Sequence, residues 1–240
     1  MEELSKIRVI VFGLGGVGSW CVEALVRTGV DNCTIVDPDI VSLDNLNRQV
    51  QANSSTIGMP KAEALACRMR EIRPGVCLDA VHGMFNADTA NRFSLSSYDY
   101  VVDAIDRLQD KALLIERCAA QGVTVFSSMG AARRMDPTRV RTGRIRNTSH
   151  CPLARRLRRL LRESHASLDV ICVYSDEPPA DAAEACRNLE PADNPPREDC
   201  TRINGSLVQV TAVFGFTLAG LVIQDTAARC ASEKGRVRPA

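Results

Sequence analysis

Ile7-Arg8-Val9-Ile10-Val11-Phe12-Gly13-Leu14-Gly15-Gly16-Val17-Gly18-Ser19 is the stretch whose reading decides the fold. A β-branched apolar run enters a glycine turn, and the turn enters a helical segment, Ser19 to Thr28, with apolar residues at Val22, Leu25 and Val26. Gly13, Gly15, Gly16 and Gly18 let the backbone turn tightly and bring its N–H groups close to a polyphosphate, while the following helix points its positive dipole end at the same charge. A second β-branched run, Cys33 to Val36, ends at Asp37, about twenty residues past the glycines, where a nucleotide fold places an acid for the ribose hydroxyls. By itself such a turn most often marks an NAD or FAD site, and in other chains it is only a tight strand-to-helix turn.

Working outward, the spacing predicts helices over Lys61 to Ile72, Ala87 to Phe93, Lys111 to Ala120 and Pro152 to Arg162. It predicts strands over Cys77 to Val81, Val123 to Ser127, Val140 to Ile145 and Val170 to Tyr174. Tyr98 to Ile105, interrupted only by Asp99 and Asp103, reads as a parallel strand buried on both faces. Asp106 follows it, at the strand end where open α/β sheets bind ligands. The fold class is therefore α/β: a Rossmann-like, mostly parallel sheet flanked by helices, with a C-terminal extension of the same sheet. The expected organisation is one domain over 1–232, with a nucleotide-binding half at 1–132, a basic C-terminal half at 133–232 and a polar tail at 233–240.

The apolar content of 45% over 240 residues suffices for one sizeable core. The ten cysteines include no CxxC pair, and Met1-Glu-Glu-Leu-Ser has no apolar signal core. Free thiols and a reducing, cytoplasmic location are expected, without structural zinc. Leu207 to Ile223, the longest apolar stretch, carries Gln209, Thr211, Thr217 and two glycines; it falls short of the roughly 20 residues that span a bilayer and reads as a buried core helix. Asp176 to Asp199 holds eight acids and five prolines, a long loop that leaves a strand end and can reach the nucleotide site.

Holding a dinucleotide needs few cations, whereas splitting a triphosphate at its α-phosphorus leaves a pyrophosphate whose growing charge must be met by fixed cations and a metal. Arg48, in Asn45-Leu-Asn-Arg-Gln49, can grip phosphate, Lys61 can supply a point charge at the start of its helix, and Asp106 can hold magnesium. Taken singly, each also fits an ordinary role, as a surface cation, a solvated helix start or a helix cap.

Jointly, GLGGVGS, VDPDIVSLDNLNRQ, GMPKAEA and VVDAID resemble the nucleotide site of the ubiquitin-activating-type adenylating superfamily, to which the bacterial ThiF and MoeB proteins belong. The resemblance implies ATP with magnesium as cofactors, Asp37 and Asp39 on the nucleotide side, Asn45, Arg48 and Lys61 for the phosphates, and Asp106 for the metal. Within that superfamily the chain looks most like the tRNA threonylcarbamoyladenosine dehydratases. GGVGSWCVEALVRTG, Asp136-Pro-Thr after Ser127-Ser-Met-Gly130, Cys172-Val-Tyr-Ser175 with Glu177-Pro178, and Asp199-Cys200 carry that likeness. Cys200 and Cys172 match family positions and are candidate catalytic residues, although free cysteines are more often small buried apolar residues. Two departures are a start almost at the first strand, ahead of which relatives have a helical segment that helps form a homodimer, and Ala131-Ala-Arg-Arg134, where relatives often keep a glycine.

Eleven arginines and one acid lie between Arg133 and Arg162. Such density supplies the phosphate attraction that nucleic-acid binding rests on, the plainer alternative being a solvated helix face balanced by the acidic loop. Arg133, Arg134, Arg155, Arg156, Arg158 and Arg159 are accordingly the candidate tRNA contacts, with Leu153, Leu157, Leu160 and Leu161 as the buried side of their helix. The expected reaction is ATP-dependent dehydration of threonylcarbamoyladenosine in tRNA through an acyl-adenylate. Its rivals are an adenylyltransferase acting on the C-terminal glycine of a ubiquitin-like sulfur carrier and a non-enzymatic scaffold for tRNA or a sulfur-transfer partner.

Overall fold

The computed structural model describes residues 2–180 and 205–236, with side chains of the last helix described through Ser232. Its strands are β1 (Arg8–Phe12), β2 (Asn32–Asp37), β3 (Cys77–His82), β4 (Tyr100–Asp103), β5 (Thr124–Ser128), β6 (Val140–Arg144) and β7 (Ile171–Ser175). Its α-helices are α1 (Gly18–Thr28), α2 (Lys61–Ile72), α3 (Leu108–Gln121), α4 (Pro152–Glu163) and α5 (Val208–Arg236). The strands form a seven-stranded sheet in the order β3-β2-β1-β4-β5-β7-β6, all pairs parallel except β6 with β7.

Strand alternation sorts the core into layers. Val9, Val11, Cys33 and Ile35 pack with Val22 and Leu25 of α1, Leu65 and Met69 of α2, and Phe214 and Leu218 of α5. Ile10, Phe12, Val36 and Val101 pack on the opposite face with Phe85, Leu95 and Leu114. A third cluster joins Ile115 of α3, Leu157 and Leu161 of α4, Met129 and Cys172. The sheet is thus covered on both sides, as its near-continuous apolar strands require.

α5 crosses back over the sheet and lies on α1. A Cβ at Gly215 would sit 2.5 Å from the Val17 carbonyl oxygen and 2.8 Å from Trp20 Cβ, so only glycine allows this approach. Trp20 meets Phe216 edge to face at 5.7 Å and donates from its indole to the Arg48 carbonyl at 3.0 Å. The backbone that carries Arg48 is thereby tied to the α1–α5 contact.

Three elements differ from expectation. Ala87 to Phe93 forms only a 3-10 turn at Ala90–Arg92, because Asn86 Oδ1 accepts from the amides of Asp88 and Thr89 at 3.0 and 3.1 Å and closes a side-chain turn there. The strand expected over Tyr98 to Ile105 contracts to β4, where the Ile105 amide turns back to Asp103 Oδ1 at 3.1 Å. The last helix runs 29 residues, beyond Ile223, so by length and composition Val208–Ser232 could cross a membrane; half of that stretch is buried in the protein. Most of the acidic stretch 176–199, the tail beyond 236 and Cys200 lie outside the described residues.

Candidate active site

β1 lies between β2 and β4, so the strand order reverses beside it, and the crevice at that reversal is where α/β sheets take their ligands. A cleft of about 980 Å³ opens there. Gly13, at φ +88°, turns the chain out of β1; a Cβ on it would lie 2.6 Å from the Ala104 carbonyl oxygen. Gly18 follows as the first residue of α1. Gly15 faces open space, and a Cβ on Gly16 would come 3.1 Å from Arg48 Cγ and from Thr211 Oγ1. The turn therefore presents bare backbone to the cleft with an arginine stem against its flank.

Asp37 closes β2 with both carboxylate oxygens occupied, Oδ2 accepting from the Leu14 amide at 2.5 Å and Oδ1 from the Asp39 amide at 2.9 Å. Burial raises its pKa above the ordinary aspartate value, and these bonds and Lys61 oppose that rise without cancelling it. Lys61, the first residue of α2, is buried and pairs its Nζ with the exposed Asp39 carboxylate at 2.8 Å. Asn45 is buried in the 3-10 turn Leu43–Asn45, where its Oδ1 accepts from the Ser42 amide at 3.2 Å. Arg48 Nη1 rests on the Asp44 carbonyl at 2.6 Å and on Asn47 Oδ1 at 2.9 Å. Asp106 is exposed on the cleft wall beside Ile105 and Leu108, and Met84 and Phe85 give the same side an apolar lining. Apart from Gly18, every residue expected at the nucleotide lines this cleft.

Beneath it lies a group that the apolar pattern of the strands does not reveal. Lys111 Nζ pairs with Asp103 Oδ2 at 2.6 Å, Ser127 Oγ donates to the same oxygen at 2.6 Å, and both charged side chains are 0% exposed. The three tie the ends of β4 and β5 to α3, directly behind the turn that carries Asp106. Asp103, as a break in an apolar strand, was the only trace of the group in the sequence.

The basic half is less uniform than its arginine density suggests. Arg139 and Arg141 pair with Asp176, and Arg144 and Arg146 with Asp169. Arg158 Nη1 donates to the Thr148 carbonyl at 3.0 Å and also bonds Thr148 Oγ1, which makes it a clamp within the fold. Arg159 faces solvent with Glu163 at 3.6 Å. Arg155 and Arg156 are exposed, and Arg133 and Arg156 line the cleft. Arg134 is only 2% exposed, so it belongs to the cleft wall and not to a surface stripe. On α4 the buried side is Ala154, Leu157 and Leu161, with Leu153 and Leu160 half-buried. Cys172 is fully buried in the third apolar cluster; burial pushes its thiol up to about 12, a poor setting for a nucleophile.

A glycine turn at a sheet's switch point, with cations gathered around it, defines an α/β nucleotide-binding protein of the adenylating kind. The ThiF family model matches residues 1–233, and the chain belongs to the ThiF family. It is 34% identical over 243 residues to the tRNA threonylcarbamoyladenosine dehydratase of Escherichia coli, covering 97% of this chain and 91% of that protein. The crystal structure of the E. coli tRNA N6-threonylcarbamoyladenosine dehydratase in complex with ATP superposes with a TM-score of 0.84 at 31% identity, over 96% of this chain and 90% of that one. The molybdopterin-synthase adenylyltransferase of E. coli is 34% identical over 135 residues, 56% of this chain and 53% of that protein.

Proposed function

We propose that the chain catalyses the ATP-dependent dehydration of threonylcarbamoyladenosine in tRNA to its cyclic form. The observation that carries this is the convergence of Arg48, Lys61 and Asp106 on the cleft of the glycine turn, with the start of the basic helix α4 on the same cleft. Likeness to the dehydratases runs nearly the whole chain, whereas likeness to the molybdopterin-synthase adenylyltransferase covers little more than half of it. That difference favours a tRNA substrate over a sulfur-carrier tail.

A threonyl carboxylate oxygen forms a bond to the α-phosphorus of ATP, the bond from that phosphorus to the bridging oxygen breaks, and pyrophosphate leaves. Bare amides of the glycine turn face the phosphates, Arg48 swings from the Asp44 carbonyl, and Lys61 exchanges part of its contact with Asp39 for phosphate oxygens. Asp37 holds the ribose while its own bonds keep the turn in shape. Asp106, an exposed carboxylate on the cleft wall, would hold magnesium, and the ion would supply charge neutralisation at the leaving pyrophosphate. A nucleophile within the substrate then bonds the activated carbonyl carbon and gives its proton to water, while the bond from that carbon to the phosphate oxygen breaks and AMP leaves. Closure is intramolecular, so proximity supplies much of the rate without an enzyme nucleophile.

In this reading Arg155, Arg156 and Arg133 meet tRNA phosphates, supported by the exposure of the first two and by Arg133 and Arg156 on the cleft. The reading includes a homodimer, supported by the exposed apolar side chains of Ile40, Leu43, Leu46 and Ile57 beside the cleft. It places the enzyme in the cytoplasm, with a sulfur-transfer protein as a further partner. ATP–pyrophosphate exchange separates the two adenylating readings. Exchange stimulated by tRNA carrying threonylcarbamoyladenosine supports the dehydratase; exchange stimulated only by a Gly-Gly-tailed carrier protein overturns it.

A further inference from the structure

The cleft wall contributed by the segment after β5 contains a cation that the fold leaves incomplete. Arg134 is 2% exposed, its Nη2 donates to the His150 carbonyl at 2.7 Å, and its Nε and Nη1 are buried with no hydrogen-bond partner among the described residues. Glu177 lies close by but gives both carboxylate oxygens to the amides of Met135 and Asp136, at 3.1 Å, and forms no ion pair with Arg134. Burial pulls the arginine's pKa down, yet a guanidinium stays protonated. Glu177 opposes that fall through space only, and a buried cation without a hydrogen-bonded counter-charge destabilises the protein that holds it.

The surrounding backbone is built to keep that side chain in place. Arg133 at φ 58° and His150 at φ 52° both occupy the left-handed region, where residues with side chains are strained. One precedes Arg134, and the other presents the carbonyl that anchors it. Arg133 is further held through its amide to the Gly205 carbonyl at 2.8 Å and through its carbonyl to the Ala180 amide at 2.9 Å. The first turn of α4, with Pro152 and Leu153 on the same wall, adds its positive dipole end. Strain and unspent donors together mark a place where an anion completes the structure.

We propose that Arg134 binds the carboxylate of the threonylcarbamoyl substituent and seats it for attack on the α-phosphorus, an assignment that rests on the dehydration reaction proposed above. The phosphates of ATP have their own cations at the glycine end. An RNA backbone phosphate is flanked by ribose on both sides, so a carboxylate at the tip of a slender substituent suits a guanidinium that is only 2% exposed better than a backbone phosphate does. One carboxylate oxygen rests on Arg134 and the other is left to form the bond to phosphorus. Arg134 is thus a specificity residue that discriminates for the acid.

The test is calorimetric binding, with a non-hydrolysable ATP analogue present, of threonylcarbamoyladenosine nucleoside and of the same nucleoside with hydrogen in place of its carboxylate. Wild type prefers the acid by roughly 10- to 100-fold, the range for a hydrogen bond to a charged group. Arg134→Gln loses that preference and Arg134→Lys regains part of it, while both bind the ATP analogue as wild type does. The assignment is overturned if wild type shows no preference for the acid, or if Arg134→Gln retains it. It is also overturned if Arg134→Gln weakens unmodified tRNA as much as it weakens the acid, which would make RNA phosphate the partner. Should Arg134→Gln fail to bind the ATP analogue, the wild-type preference and Arg134→Lys decide the matter. Dehydration by wild type, read separately by mass spectrometry, distinguishes failure of the reaction from failure of this residue's role: a preference for the acid without water loss sinks the reaction and leaves the carboxylate site standing.

Discussion

Lys111 and Arg134 are both buried cations beside one cleft, and the fold treats them in opposite ways. Lys111 is 0% exposed with a carboxylate at 2.6 Å and a serine oxygen at 3.4 Å. Arg134 has one carbonyl and two bare donors among the described residues. A cation completed by its own chain belongs to the architecture; one left unfinished is placed for something that arrives. The phosphate end lies between these extremes, since Lys61 and Arg48 rest on Asp39 and on the Asp44 carbonyl, partners that a triphosphate can displace.

The largest effect follows from breaking the completed pair. Asp103→Ala leaves Lys111 buried without a counter-charge and is expected to cost about 3–5 kcal/mol in denaturant unfolding, while the double variant Asp103→Leu/Lys111→Met recovers most of it. A small loss for the single variant would show that water reaches Lys111 and would erase the contrast with Arg134. Next come the displaceable cations: Lys61→Ala and Arg48→Ala should each lower kcat about 10²–10³-fold, with unfolding midpoints close to wild type. Pyrophosphate exchange reads the first quantity and thermal unfolding the second. Equal losses of activity and stability would recast both residues as structural.

Smaller effects are expected on the exposed face of α4. Removing Arg155 or Arg156 should weaken tRNA binding irrespective of sequence and reduce the slope of log K against log salt by about 1 each. Glu163 already offsets part of the charge of Arg159, so Arg159→Ala should change the slope less. The smallest effect is in pH. Because burial raises the Asp37 pKa above 3.8, the folded protein holds that proton more tightly than the unfolded chain. Stability therefore falls as pH rises from the ordinary aspartate value through the raised one. Asp37→Asn, though less stable throughout, should flatten that portion of the stability curve; an unchanged slope would assign it to another group.

Much of this was legible in the sequence wherever the signal is local. The apolar run, the glycines and the period of α1 lie within a few residues of one another, and Asp37 sits at the end of the next apolar run, so the nucleotide half could be read along the chain. Asp103, Lys111 and Ser127 could not be read that way, because only the pairing of β4 with β5 and the return of α3 bring them together. Asn86 hid in the same manner: its side chain competes with helix formation at Ala87 to Phe93, a choice that periodicity does not register. In the basic half, arginine density concealed a division of labour. The same residue type serves as surface charge at Arg155, as a clamp on carbonyls at Arg158 and as a buried donor at Arg134, and only burial and hydrogen-bond partners separate the three.

Mass spectrometry of nucleosides from tRNA incubated with the protein, magnesium and ATP tests the central claim most directly. Threonylcarbamoyladenosine should lose one water, with AMP and pyrophosphate appearing in step and with no change when ATP is withheld. Intact threonylcarbamoyladenosine beside a protein that binds ATP and exchanges pyrophosphate on a carrier-protein tail would contradict it.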